Sequence, residues 1–185
     1  MDHRDIAIAQ TQQWVSNVIV DLNLCPFAGR EVLNNTIRYQ AYRGMDFVSL
    51  LEALKDEFYF LDTHKETATS LIIYPEELGQ FDDYLDFVDL ANDVLHACGY
   101  EGVYQLATFH PEYSFEGTEA NDVENYTNRA PHPMLHIIRE DDLEKALAGY
   151  TNPESIPERN IKLMNKLGLT HMKQLLQQCV QCQKK

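Results

Sequence analysis

Positive charge is scarce in this sequence. Its 185 residues include 15 lysines and arginines against 29 aspartates and glutamates, which gives a net charge of −14. A protein with this charge repels phosphate backbones and anionic lipid headgroups. We therefore expect no binding to nucleic acid and none to a membrane surface.

Long apolar runs and a secretory leader are also missing. No run approaches the roughly 18 apolar residues that a membrane span needs, and the first 15 residues lack a basic segment followed by an apolar one. The four cysteines, at positions 25, 98, 179 and 182, are too few and too unevenly spaced for the disulfide framework of a small secreted domain. We expect a cytoplasmic protein with reduced thiols.

Familiar catalytic motifs are absent as well. The chain contains no GxGxxG, no Walker loop, no HExxH and no GxSxG, so four common enzyme classes lose their usual sequence support. Cys179 and Cys182 form one CxxC pair, but no second pair completes a four-ligand zinc site. These motifs therefore indicate no particular cofactor.

The composition present is that of one folded domain spanning residues 1–185, with 44% hydrophobic and 24% charged residues. Apolar periodicity predicts strands at 36–43, 68–75, 103–109 and 134–139. It predicts helices at 5–23, 46–61 and 81–98, and a helical C-terminal tail at 153–168 and 170–178. Because strands and helices alternate, we expect an α/β fold with a small, largely parallel sheet of about four strands and helices packed against it.

Two helix boundaries carry specific signals. Asp46 is a predicted N-cap, and Gly99 is a predicted C′ glycine that ends the helix at 81–98. Cys98 lies on the apolar stripe of that helix, which predicts a core position.

The long polar segment at residues 110–133 contrasts with this regular pattern. Structureless loops beyond about 12 to 15 residues are uncommon in compact domains and are usually functional or disordered. The loop follows the third predicted strand. The C-terminal ends of the first three strands should bring Arg43, Pro75 and His110 to one edge of the sheet. We expect this segment, called the wall loop below, to form one side of a pocket.

Each candidate side chain in and near the wall loop has a structural and a functional interpretation. A histidine at a strand end is more often a hydrogen-bonding structural residue than a base, and His136, inside an apolar strand, favours a core position. The asparagines are either turn residues or amides that orient a substrate, and the arginines either neutralise nearby acids or bind an anion. The candidates are Cys25, His110, Asn125, Asn128, Arg129, His136 and Arg139.

Cys25 follows the first predicted helix and precedes a proline. A free cysteine usually packs as a small apolar residue, and the negative end of a helix dipole raises a thiol pKa. A reactive Cys25 would therefore need a histidine or an arginine beside it, and His110 is the candidate.

Three blocks of the chain, at 22–28, 109–140 and 157–168, resemble the signature blocks of an uncharacterised bacterial family, domain of unknown function fourteen-fifteen. The resemblance extends from about residue 14 to 168 and implies a small cytoplasmic protein with no established activity. Family members typically have a serine where this chain has Ala130, and the CxxC pair lies outside the resemblance. The family pattern falls on Cys25, Pro26, His110, Asn125, Tyr126, Asn128, Arg129, His136, Arg139 and Glu140.

Three functions stay open on these residues. The first is an enzyme for a small anionic molecule, with Cys25 as nucleophile or redox thiol, His110 as general base, two orienting asparagines and Arg129 as anion clamp. The second is a metal or haem site built from Cys25, His110 and His136, with Glu112 as a further ligand. The third is a non-catalytic binding domain.

Overall fold

The computed structural model describes residues 2–181. The strands are β1 Ile37–Ala41, β2 Thr69–Ile73, β3 Tyr104–Phe109 and β4 Met134–Arg139. The α-helices are α1 His3–Trp14, α2 Ala28–Asn34, α3 Phe47–Thr63, α4 Phe81–Ala97, α5 Glu140–Leu147, α6 Ile156–Leu167 and α7 Leu169–Val180. Helix α1 continues as a π-helix over Val15–Val20, and short 3-10 helices span Val123–Thr127 and Pro153–Ser155.

The four strands form one mixed sheet in the order β1-β2-β4-β3. The α/β fold with a helical C-terminal tail is confirmed, but the expectation of a largely parallel sheet needs correction. Strands β1 and β2 are parallel, whereas β4 is antiparallel to both of its neighbours. The physical reason is that the wall loop returns at the edge where β3 ends, without a crossover helix, so β4 must run the opposite way.

Strands β1, β2 and β3 still point in the same direction, because β4 pairs antiparallel between the last two. Their carboxyl ends lie in one row, in which Ala41 pairs with Ile73, Ile73 with Met134, and Met134 with Phe109. The wall loop therefore starts and ends at this common edge of the sheet.

Side chains alternate along each strand and build a separate core on each face of the sheet. Helices α3 and α4 cover one face, where Phe58, Tyr84, Phe87 and Leu135 are fully buried. Helices α1, α6 and α7 and the π-helix cover the other, where Trp14, Val18, Met134 and Met164 are buried. Burying one large apolar side chain contributes about 1.5–3 kcal/mol, so both faces stabilise the fold.

Both predicted helix boundaries are confirmed, and one prediction beside them is wrong. Asp46 accepts a hydrogen bond from the Ser49 backbone N–H at 2.8 Å, and Gly99 closes α4 with a φ of +76°. Cys98 is exposed and does not belong to the core, because α4 ends at Ala97 and leaves the cysteine at its C-cap.

Between residues 2 and 181, no helix is both long enough and apolar enough to cross a bilayer. Cys179 is buried on α7. Its predicted partner in the CxxC pair, Cys182, lies outside the described residues.

Candidate functional site

A cavity of about 580 Å³ lies on the α1 side of the sheet. We call it the central cavity. Its floor is the sheet, and its sides are the π-helix, the segment 24–28, helix α6 and the wall loop. Small-molecule sites usually measure about 300–1,000 Å³, so the volume is that of a ligand pocket.

The floor of the central cavity follows from strand parity. Every second residue of each strand faces the cavity, and the intervening residues face α3 and α4. Most floor residues are apolar, and the polar ones are Thr69 and His136. The floor consists of Ile37, Thr69, Leu71, Ala107, Phe109, His136 and Ile138.

The π-helical turn after α1 supplies one side of the cavity. Its wider winding shows in the bond from the Asp21 N–H to the Ser16 carbonyl, five residues back, at 3.0 Å. Val15 and Ile19 line the cavity beside Trp14, whose indole N–H donates to the Arg129 carbonyl at 3.1 Å. Such π-helical turns occur frequently at functional sites.

Cys25 lies in the wall of the cavity. Helix α6 holds its segment, because the Asn160 side-chain amide donates to the Leu24 carbonyl at 2.8 Å. Burial raises the pKa of the Cys25 thiol, while backbone N–H groups of Phe27 and Ala28 lower the pKa in part. The resting state at neutral pH is thus a thiol.

His136 lies on the cavity floor and is a neutral imidazole. The Thr69 hydroxyl donates to the Ile137 carbonyl at 2.5 Å, so its oxygen accepts a hydrogen bond from His136 Nε2–H at 2.6 Å. Nδ1 then carries the lone pair. Burial lowers the pKa of His136 to about 4, which keeps the ring uncharged at neutral pH.

His110 is not beside Cys25, and the predicted pairing of these two residues is wrong. Alternation along β3 directs His110 to the α4 face, where its ring packs against Phe81 and Tyr84 at centroid distances of 5.1 and 5.0 Å. Nε2 donates to the Leu78 carbonyl at 2.9 Å, and Nδ1 accepts from the Glu112 N–H at 3.0 Å. Both nitrogens are used and the residue is fully buried, so His110 has the structural role.

Asn125 and Arg129 hold the wall loop together. Asn125 Oδ1 accepts from the Phe115 N–H at 3.0 Å and from the Thr118 hydroxyl at 2.9 Å. The guanidinium of Arg129 donates to the carbonyls of Tyr113 at 3.0 Å and Ala120 at 2.7 Å. Neither residue lines the central cavity.

The last two candidates lie at different places. Asn128 lines the cavity and donates to the Thr108 carbonyl at 3.0 Å. Arg139 lies on the opposite face, where it donates to the Tyr104 hydroxyl at 3.0 Å and to the Thr67 carbonyl at 3.1 Å. Of the seven candidates, the structure therefore brings together Cys25, Asn128 and His136.

The metal or haem hypothesis required Cys25, His110 and His136 to meet. His110 and His136 are on opposite faces of the sheet, so these three side chains do not form one ligand set. Among the residues that the structure describes, no group of three or more histidines, cysteines and acids could hold a metal ion.

Sequence reasoning missed several residues of the cavity. Thr69 starts β2 and could have been placed beside His136 only if the strand pairing were known. Asn160 could have been noticed in the sequence. It is a polar residue on the same helix face as the apolar residues Ile156 and Met164, four positions away on either side. Trp14, Glu116 and Glu124 also line the cavity.

A family model described as a protein of unknown function, DUF1415, matches residues 6–174. This match confirms the resemblance carried by the three sequence blocks. No curated protein and no solved structure matches the chain.

Proposed function

We propose a ligand-binding function for this chain, which belongs to the DUF1415 family of proteins of unknown function. The ligand is a small, predominantly apolar molecule held in the central cavity. The observation that carries the proposal is a cavity of about 580 Å³ lined largely by apolar side chains. An apolar surface of this size inside a folded protein is the usual setting of a small-molecule site.

Apolar contact is the main source of affinity in this proposal. Trp14, Phe27, Phe109 and Phe115 supply aromatic surface, and aliphatic side chains from the π-helix, the sheet and α6 complete the lining. Removing apolar ligand surface from water contributes about 25 cal/mol per Å². The polar groups of Cys25, Asn128 and His136 orient the ligand.

An anionic substrate, expected from the sequence, has little support in this geometry. Arg129 was its predicted clamp, and that side chain is engaged by two carbonyls within the wall loop. Two cavity-lining residues, Glu116 and Glu124, are acidic, and they repel an anion.

Trp14 offers a direct test because it is the single tryptophan of the chain and lines the cavity. Titration of the protein with 1-octanol should change Trp14 fluorescence in a saturable way. An unsaturable, linear change with concentration would contradict binding at a defined site.

A cavity-filling variant locates the site. Ala107 lies on the cavity floor, and Ala107→Leu should weaken 1-octanol binding at least several-fold while the protein stays folded. The matched control is Ala97→Leu, at an exposed position of α4 on the other side of the sheet, which should leave binding unchanged. Equal affinities for both variants would place the ligand elsewhere.

A second candidate function is thiol chemistry on the bound molecule. It is favoured by the position of Cys25 and His136 in the lining of one cavity, with His136 Nδ1 available to accept the thiol proton. Against it, the pKa of Cys25 is raised and that of His136 is lowered to about 4. A neutral thiol and a neutral imidazole are the resting pair, so the protein does not hold a preformed thiolate. The alkylation experiment in the Discussion separates this function from binding alone.

The cytoplasmic location and the lack of nucleic-acid and membrane partners stay predictions from composition. A mobility-shift titration with duplex DNA at low salt would check one of them. A retarded complex at micromolar protein would contradict the prediction from the net charge of −14.

A further inference from the structure

Four side chains that line the central cavity already donate a hydrogen bond to a backbone carbonyl. The Asn128 amide donates to the Thr108 carbonyl and the Asn160 amide to the Leu24 carbonyl. The Thr69 hydroxyl donates to the Ile137 carbonyl, and the indole of Trp14 donates to the Arg129 carbonyl. The walls therefore have few donors left for a ligand.

Acceptors, in contrast, remain. His136 presents Nδ1 as a lone pair on the floor, since its Nε2–H donates to Thr69. Glu116 and Glu124 add two carboxylate groups from the wall loop. An acceptor-rich cavity selects a ligand that donates hydrogen bonds, because a ligand acceptor would lose its bonds to water without replacement.

Charge favours the same kind of ligand. Among the described residues that line the cavity there is no lysine and no arginine. Two arginines that neighbour lining residues in the sequence have guanidinium groups bound to other protein groups. Arg129 stacks over the Tyr126 ring at 4.8 Å and donates to two wall-loop carbonyls. Arg159 donates to Asn160 Oδ1 at 2.9 Å and to the Asn23 carbonyl.

Aromatic surface adds to this preference. The rings of Trp14, Phe27, Phe109 and Phe115 line the same cavity, and ring faces attract organic cations by about 0.5–2 kcal/mol. The same rings accept the apolar body of a ligand, so one molecule can satisfy both properties.

We propose that the ligand of the central cavity is an organic ammonium, with an apolar body against the aromatic walls and a charged N–H head at Glu116 and Glu124. This inference rests on the proposed binding function and specifies the chemical class of its ligand. Glu116 is exposed and Glu124 is half-buried, so their attraction is screened by salt.

Three probes with the same chain length test the head group: octylammonium, 1-octanol and octanoate, each titrated against Trp14 fluorescence at pH 7 and low salt. We expect octylammonium to bind about 5- to 10-fold more tightly than 1-octanol, as weak surface pairs allow, and octanoate to bind most weakly. The preference for octylammonium should shrink when NaCl is raised to about 0.5 M.

Matched variants assign the preference to the two carboxylates. Glu116→Gln/Glu124→Gln should remove the preference for octylammonium over 1-octanol. Glu101→Gln/Glu144→Gln changes the net charge equally at exposed positions outside the lining, and it should retain the preference. An equal loss in both double variants would assign the effect to net charge and overturn the inference.

The two proposals fail in different ways. If 1-octanol binds wild-type protein as tightly as octylammonium does, the ammonium inference is wrong and the binding function stands. If none of the three probes binds with saturation, the binding function is wrong, and the inference about its ligand falls with it.

Discussion

His110, at the end of β3, and His136, in the neighbouring strand β4, differ in their hydrogen bonds and in their roles. Burial lowers the pKa of both imidazoles, and both rings are neutral. His110 uses both nitrogens on backbone groups, whereas His136 uses Nε2 and presents Nδ1 at the cavity. The first ring is a structural element of the fold, and the second can contact a ligand.

The lowered pKa of His136 predicts a pH dependence of stability. The unfolded chain protonates this histidine below about pH 6.5, whereas the folded protein protonates it only near pH 4. Between these values the unfolded state binds more protons, so the free energy of unfolding falls as the pH falls. From pH 7 to pH 5 we expect this ring to account for a loss of about 2 kcal/mol, measured by urea denaturation.

Variants isolate the contribution of His136. His136→Leu should show a weaker loss of stability between pH 7 and pH 5 than wild type shows. His96→Leu, at an exposed position of α4, should follow the wild-type curve. A His136→Leu curve parallel to wild type would mean that the ring does not titrate in this way.

The raised pKa of Cys25 predicts slow alkylation at neutral pH. Iodoacetamide reacts with the thiolate, so the rate at Cys25 should rise mainly above pH 9. Peptide mapping by mass spectrometry compares Cys25 with Cys98, which is exposed in the same molecule. Bound 1-octanol should protect Cys25 and leave Cys98 unprotected.

The opposite result has a definite meaning. Rapid alkylation of Cys25 at pH 7, well ahead of Cys98, would show a stabilised thiolate. That outcome would favour thiol chemistry over binding alone as the function of the cavity.

At the scale of elements, the wall loop is built around one buried amide. Asn125 is fully buried and bonds three groups of the loop, since its Nδ2 donates to the Glu119 carbonyl at 2.9 Å in addition to the two bonds that Oδ1 accepts. The loop can therefore form a cavity wall although it contains only a short 3-10 helix.

Removing that amide should loosen the wall. Asn125→Ala removes three partly buried hydrogen bonds, and a typical hydrogen bond contributes about 0.5–1.5 kcal/mol. We expect urea denaturation to show a loss of about 2 kcal/mol or more, together with weaker 1-octanol binding. Asn121→Ala, at an exposed position of the same loop, should change stability by less than about 0.5 kcal/mol. Similar losses for both variants would contradict the role of Asn125.

Helix and strand positions were predictable because periodicity and end signals are local. Asp46, Gly99 and the four apolar strand segments each lie where the sequence places them. Strand pairing was not predictable from the sequence. The position of β4 between β2 and β3 depends on the path of the wall loop, which has no local sequence signal. Helix α2 was also missed, because its seven residues are too few for a clear apolar period.

For the whole molecule, the sheet separates two hydrophobic cores. Trp14 belongs to the core on the cavity side, and Tyr74, Tyr84 and Tyr104 are buried in the core under α3 and α4. If residues 1–185 form one domain, both cores unfold together.

Two optical probes check this expectation. Tryptophan fluorescence reports the cavity-side core, and tyrosine near-UV circular dichroism reports mainly the other core. We expect the two urea transitions to share one midpoint, because both cores pack on the same four strands. Midpoints separated by more than the fitting error would show that the cores unfold independently.

The sequence by itself determined most of the elements, the acidic net charge, the family, and a segment that forms a wall. These properties depend on composition, on local periodicity and on residue types that lie close together along the chain. Only the tertiary structure decided that Cys25 shares a cavity with His136 while His110 lies on the far side of the sheet. The reason is geometric: a shift of one residue along a strand moves a side chain to the other face, and the pairing order that brings Thr69 beside His136 has no local signal in the chain.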